Sequence, residues 1–136
     1  MKRFIADTSV WSIFLRRSSP DESELKAQLR AAILSDEVQM LGIIRQECLS
    51  GIKEHAQFIR LKEYLDGFPD LLATTEDHLK AAEYCNTCRR KGFQGGFADF
   101  LICAQANSAG LPILTKDKDF LEYQRILPIR LVGQGA

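Results

Sequence analysis

With 136 residues, 46% hydrophobic and 26% charged, the chain fits one domain over residues 1–136 that can bury a core, and disorder of the whole is excluded. Its 18 basic and 18 acidic residues cancel, so it lacks the positive excess of a passive DNA binder. A nucleic-acid partner stays open, because an acidic metal site would mask a basic rim in the total.

Residues 1–7 hold too short an apolar run for a secretory signal. No segment approaches the roughly 20 apolar residues of a membrane span. A cytoplasmic protein with no membrane partner is therefore expected.

Short apolar runs alternate with longer helical stretches, the order of an α/β domain on a mostly parallel sheet. Residues 3–6 read as the first strand, ending at Asp7, and a short helix is expected over about 10–16. Ser19, Pro20 and Glu22 agree on a helix start: a cap, a first-position proline and a capping-box acid. Leu25, Leu29, Ala32 and Ile33 then recur at helical spacing. Residues 38–41 form a second strand stopped by Gly42, and 43–50 continue as helix. An amphipathic helix covers about 54–66, with Phe58, Leu61 and Leu65 on its stripe. Leu71, Leu72 and Ala73 make a weak third strand, and Thr75 caps a helix reaching about Arg90.

The loop over 91–96 has three glycines in six residues, which permits positive φ and close backbone approach. A small-residue helix over 98–108 stops at Gly110. Residues 112–115 form a strand, and 130–132 close the sheet.

The four cysteines are Cys48, Cys85, Cys88 and Cys103. Cys85 and Cys88 have the spacing of a zinc or redox pair. A structural zinc site wants a second ligand pair, and neither His55 nor His78 has the usual spacing for one. A redox pair belongs just after a strand, at a helix start, whereas this one lies late in a helical pattern. Buried, reduced thiols are the preferred reading.

Asp7 directly follows an apolar strand, where parallel sheets bind ligands; an aspartate there is also a common helix cap. Asp117 repeats the arrangement after 113–116, and two such residues converge if their strands are neighbours. Asp119 either joins the cluster or caps a helix turn, and the cap is preferred. Asp99 lies near the start of a helix with an apolar face, and Glu47 lies on a short helix between Ile44 and Leu49. Gathered carboxylates raise one another's pKa. Mg²⁺ and Mn²⁺, which prefer hard oxygen ligands, remove that penalty and assist phosphoryl chemistry.

In family terms, the stretch from Phe4 through Asp7, Thr8 and Ser9 to Trp11 resembles the opening strand and D-T/S motif of PIN domains. Glu47 is similar to that family's acidic residue on an early helix. The stretch from Ala98 and Asp99 to Ala106 resembles its D-x-x-I-x-A-x-A helix, and Thr115, Asp117, Asp119 and Phe120 resemble its T-x-D-x-D-F motif. The motifs occur in family order, and by size and wording the nearest subgroup is the VapC-type toxin of toxin–antitoxin pairs.

The resemblance implies a twisted parallel sheet of four to five strands with helices on both faces, and a metal-dependent endoribonuclease. Asp7, Asp99 and Asp117 would hold Mg²⁺ or Mn²⁺. Glu47 would complete the cluster and help orient water. Thr8, Ser9, Thr115 and Asp119 would support the site. It further implies a homodimer and a cognate antitoxin that inserts a segment near the active site, with an Arg at the substrate or metal position.

On the RNA side, Arg89, Arg90 and Lys91 precede Asp99, Lys116 and Lys118 flank Asp117, and Arg16 and Arg17 follow the first helix. They either contact phosphates or are solvated helix ends, and both readings stay open. Trp11 and Phe97 could stack on bases, with core packing preferred for each. Two other functions compete. A phosphoacceptor or phosphatase domain is disfavoured because no second acid follows Asp7. A non-catalytic PIN-fold binding module is disfavoured by the intact acids.

Overall fold

The computed structural model describes residues 2–16 and 23–133. Four strands, β1 (Phe4–Ala6), β2 (Val38–Leu41), β3 (Asp70–Leu71) and β4 (Ile113–Leu114), form one sheet in the order β3-β2-β1-β4, parallel throughout. The register sets Ile5 beside Gln39 on one side and Ile113 on the other. Beyond β4, Leu131 makes a single parallel bridge to Ile113. The closing strand expected at 130–132 is thus reduced to one bridge.

Seven helices flank the sheet among the described residues: α1 (Thr8–Leu15), α2 (Ser23–Leu34), α3 (Gly42–Leu49), α4 (His55–Leu65), α5 (Thr75–Arg90), α6 (Phe97–Ala109) and α7 (Asp119–Ile126). This is the expected α/β class. None of them is long and apolar enough to cross a membrane. The helix start expected at Ser19, Pro20 and Glu22 lies outside the described residues. Its apolar stripe is present: Leu29 and Ala32 are buried, and Leu25 and Ile33 half-buried.

Three local expectations are corrected. The third strand is Asp70–Leu71, while Leu72 is 76% exposed. Thr74, not Thr75, caps α5. Its hydroxyl accepts from the Asp77 amide at 3.1 Å while the Asp77 carboxylate accepts from the Thr74 amide at 2.9 Å, so both helix-start amides are satisfied. α7 had no predicted counterpart.

The core forms where β1 and β4, buried throughout, and the apolar residues of β2 meet α1, α3 and α6. Ile5, Met40, Leu41, Ile44 and Ile113 are fully buried. Trp11 is likewise buried, edge-on to Phe14 and Phe68 at 5.9 and 5.2 Å between centroids. Cys85 and Cys88 on α5 and Cys103 on α6 are buried free thiols in the same core. Burial raises the Cys88 and Cys103 thiols above their ordinary range, so both stay protonated.

Candidate active site

Strand order decides where the site can lie. The chain leaves the inner strand β1 towards β2 and returns on the other side only at β4. The β1–β4 boundary is therefore the switch point of the sheet, beyond whose strand ends a crevice opens. The pairing of Ala6 with Leu114 sets Asp7 and Thr115 side by side, and the Asp7 amide donates to the Leu114 carbonyl at 3.0 Å.

Asp7 is buried (4% exposed) and caps α1, one carboxylate oxygen accepting from the Val10 amide at 3.3 Å. The Ser9 hydroxyl donates to that oxygen and the Thr115 hydroxyl to the other, each at 2.6 Å. Both hydroxyls also accept, Ser9 from the Lys116 amide and Thr115 from the Asp117 amide, each at 3.0 Å. Asp7 is thus both helix cap and hub of a network tying β1 to the segment after β4. Burial raises its carboxyl above the ordinary range against these hydrogen bonds, and the charge of Asp117 adds to the rise.

Asp99, in the first turn of α6, accepts from the Tyr123 hydroxyl at 2.8 Å. Burial pushes its carboxyl up to about 6 against that hydrogen bond, helped by the charges of Asp117, Glu47 and Asp119. Glu47 is held by the Thr8 hydroxyl at 2.6 Å, which joins α3 to the start of α1.

Asp99, Asp117 and Asp119 each present one carboxylate oxygen, all within 4.8 Å of one another. Asp119 corrects an expectation. Lys118 occupies the cap position of α7 without a side-chain bond, and Asp117 accepts from the Asp119 amide at 2.9 Å. The Asp119 carboxylate belongs to the cluster instead. Asp7 and Glu47 are not part of this trio, but the charge of Asp117 acts on Asp7 and that of Glu47 on Asp99, so five acids from four segments of the chain are coupled. Their hard oxygens, two of them on carboxyls that resist ionisation, fit a divalent cation such as Mg²⁺ or Mn²⁺.

Of the expected cations, Lys116 and Lys118 adjoin Asp117, while those at the end of α5 are placed only by local contacts. Arg89, Arg90 and Lys91 are exposed at the end of α5. Arg89 donates to the Gly95 carbonyl at 3.4 Å and lies 5.6 Å over the Phe97 ring, and Arg90 donates to the Thr87 hydroxyl at 3.3 Å. Lys116 and Lys118 line a cavity of about 260 Å³ with Thr115 and Asp117. Arg16 and Lys116 line a larger one of about 740 Å³ with Ser9 and Cys48; Arg17 lies outside the described residues. Trp11 packs in the core as preferred. Phe97 does not: it is 76% exposed. It opens α6 after two glycines, with Arg89 over one face.

Sequence reasoning missed Tyr123, and it marked Gly95 only as one of three loop glycines permitting close backbone approach. The available signal for Tyr123 was a tyrosine three residues after the buried Phe120, since a buried hydroxyl needs a partner.

A parallel α/β sheet with acids converging on its switch point defines the class of protein. Residues 4–126 match the PIN domain family model, and the chain belongs to the PIN-domain family. Solved structures with the same fold include FitAcB from Neisseria gonorrhoeae, at 22% identity over 91% of this chain and 94% of that one, with a TM-score of 0.73. DNA-bound VapBC from Salmonella typhimurium is similar at 22% identity over 96% and 97%, with a TM-score of 0.73. VapBC-5 from Mycobacterium tuberculosis, of the VapBC family of toxin-antitoxin systems, is similar at 19% over 97% and 98%, with a TM-score of 0.68. At these identities the likeness is one of fold. No curated protein matches the chain by sequence.

Proposed function

We propose that the chain is a metal-dependent endoribonuclease acting as the toxin of a toxin–antitoxin pair. The observation that carries this reading is the trio of Asp99, Asp117 and Asp119 oxygens within 4.8 Å at the sheet's switch point. Asp7, Asp99 and Asp117 are the ligands proposed for Mg²⁺ or Mn²⁺, with Asp119 beside them. A divalent ion bound there supplies positive charge that activates water and stabilises the phosphodiester as it is cleaved.

The chain's own groups supply the rest. Glu47, steadied by Thr8, orients the attacking water for in-line displacement at phosphorus. Ser9 and Thr115 hold Asp7 in register with the Asp117 segment. Arg89, Arg90, Lys91 and Lys116 are the proposed contacts to RNA phosphates, and exposed Phe97 offers a face on which an unpaired base can stack. A cognate antitoxin as partner is supported by fold relatives that are VapBC complexes. A homodimer and a cytoplasmic location belong to the same reading.

The test is RNA cleavage by purified protein with added Mg²⁺ or Mn²⁺, comparing wild type with Asp99→Asn and Asp117→Asn. Each substitution is expected to lower the rate by about 100-fold or more, at least the upper end of the effect of an outer-shell partner. Cleavage at the wild-type rate by both variants, or undiminished cleavage in EDTA, would overturn the assignment.

A further inference from the structure

Tyr123 is 1% exposed on α7, its ring 5.3 Å from Phe100 and 5.2 Å from Phe120 between centroids. A phenol hydroxyl shut away from water must find a partner, and this one donates to Asp99 at 2.8 Å. The bond crosses from α7, which begins with Asp119, to α6, which carries Asp99. It therefore joins the two elements that must stay in register for the three carboxylates to meet.

Against the hydroxyl end of the ring lies Gly95. A Cβ there would collide with the Tyr123 hydroxyl oxygen, and would fall 2.8 Å from the ring's Cζ and 2.7 Å from Phe100 Cζ. The aromatic neighbours leave the ring little room to retreat, so any side chain at position 95 must push the hydroxyl off Asp99. The Gly95 carbonyl is itself held by Arg89, which pins this loop to the end of α5.

We propose that Tyr123 is a positioning residue for the acidic site, fixing the Asp99 carboxylate against Asp117 and Asp119, and that Gly95 is the backstop that keeps its hydroxyl in place. The proposal rests on the metal-binding reading of that cluster. Tyr123 acts through Asp99, the proposed ligand to which its hydroxyl donates. Outer-shell partners of this kind orient a ligand, and their loss commonly lowers metal affinity about 10–100-fold.

Calorimetric titration of Mn²⁺ into the full chain tests this, with wild type, Asp99→Asn, Tyr123→Phe and Gly95→Ala compared well below their unfolding midpoints. Tyr123→Phe keeps the ring and removes only the hydroxyl. Gly95→Ala keeps the hydroxyl and displaces it, and carries the test if Tyr123→Phe fails to fold. Both are expected to weaken Mn²⁺ binding by about ten-fold or more. A purely structural role would lower the metal-free unfolding midpoint while leaving the affinity of the folded protein unchanged. Wild-type affinity in both variants, beside a loss in Asp99→Asn, would overturn the positioning role and leave the metal reading standing. Absence of Mn²⁺ binding by wild type would overturn the metal reading and this role with it.

Discussion

Asp99 keeps its proton to about pH 6 because burial, with the charges of Asp117, Glu47 and Asp119, outweighs the hydrogen bond from Tyr123. An unfolded aspartate titrates near 3.8, so between those values the native state binds more protons than the unfolded one. Stability is then gained as pH falls through this window and lost as pH rises through the native value. Asp7, also raised by burial, acts with the same sign. Asp99→Asn removes the ionisation while an amide oxygen can still accept from Tyr123. The variant is expected to unfold at a higher temperature than wild type at pH 7.5 in EDTA, with the advantage fading towards pH 4. A gain that does not change with pH would argue against the buried-charge account. Protons also compete with a divalent ion, so Mn²⁺ affinity should fall as pH drops below about 6. Asp7 and Asp117 were legible as site residues because each follows an apolar strand. Asp99 and Glu47, on helices rather than strand ends, gained their site roles from the family resemblance. Asp119 was legible as a candidate but with the cap preferred, and Tyr123 was not legible, because both roles depend on how α7 lies against α6, which local pattern does not encode.

Among the elements, β3 is the most fragile: β4 is an edge strand of the same two-residue length, but it is buried and bridged by Leu131, whereas β3 is only half-buried. Two residues of ladder are too few to persist alone, and Arg45 of α3 supplies the missing hold. Its guanidinium donates to the Leu65 carbonyl at 2.8 Å, to the Phe68 carbonyl, and to the Asp70 carboxylate at 2.9 and 3.2 Å. One planar fork thereby fastens the end of α4, the following turn and the start of β3 onto α3. Arg45→Met, which keeps much of the stem, should destabilise the fold by about 2 kcal/mol, the worth of hydrogen bonds to a charged group. Arg45→Lys should restore little of it, because an ammonium cannot span the same acceptors. Urea unfolding of the three proteins measures both. Wild-type stability in Arg45→Met would show the clamp to be idle. The same scale explains what was readable in the fold. The apolar runs behind β1, β2 and β4 announced those strands. β3 was expected one residue late at its start and two residues too far at its end; its start at Asp70 is fixed by this long-range clamp, and a polar residue gives no strand signal. Phe97 was misjudged because an aromatic residue among small neighbours carries no periodicity to say which way it faces.

At the scale of the whole molecule, zero net charge means that RNA cannot be drawn in by a broad positive field. Any attraction has to come from a few cations near an acidic crevice, and the dependence of binding on salt should therefore be shallow. Each phosphate contact to a single strand contributes about −0.7 to the slope of log affinity against log salt. Contacts from Arg89, Arg90, Lys91 and Lys116 would together set a slope of about −3. Arg90 and Lys116 are the cleaner probes, since Arg89 also holds Gly95 and covers Phe97. In metal-free protein, where RNA binding can be followed by fluorescence anisotropy without added cleavage cofactor, Arg90→Ala or Lys116→Ala should flatten the slope by about 0.7 each. The loss of affinity should be the same across RNA sequences, because a phosphate contact reads no base. An unchanged slope in both variants would mean that these side chains are solvated ends of their segments, and that the substrate is held chiefly through its bases, with Phe97 the first residue to replace.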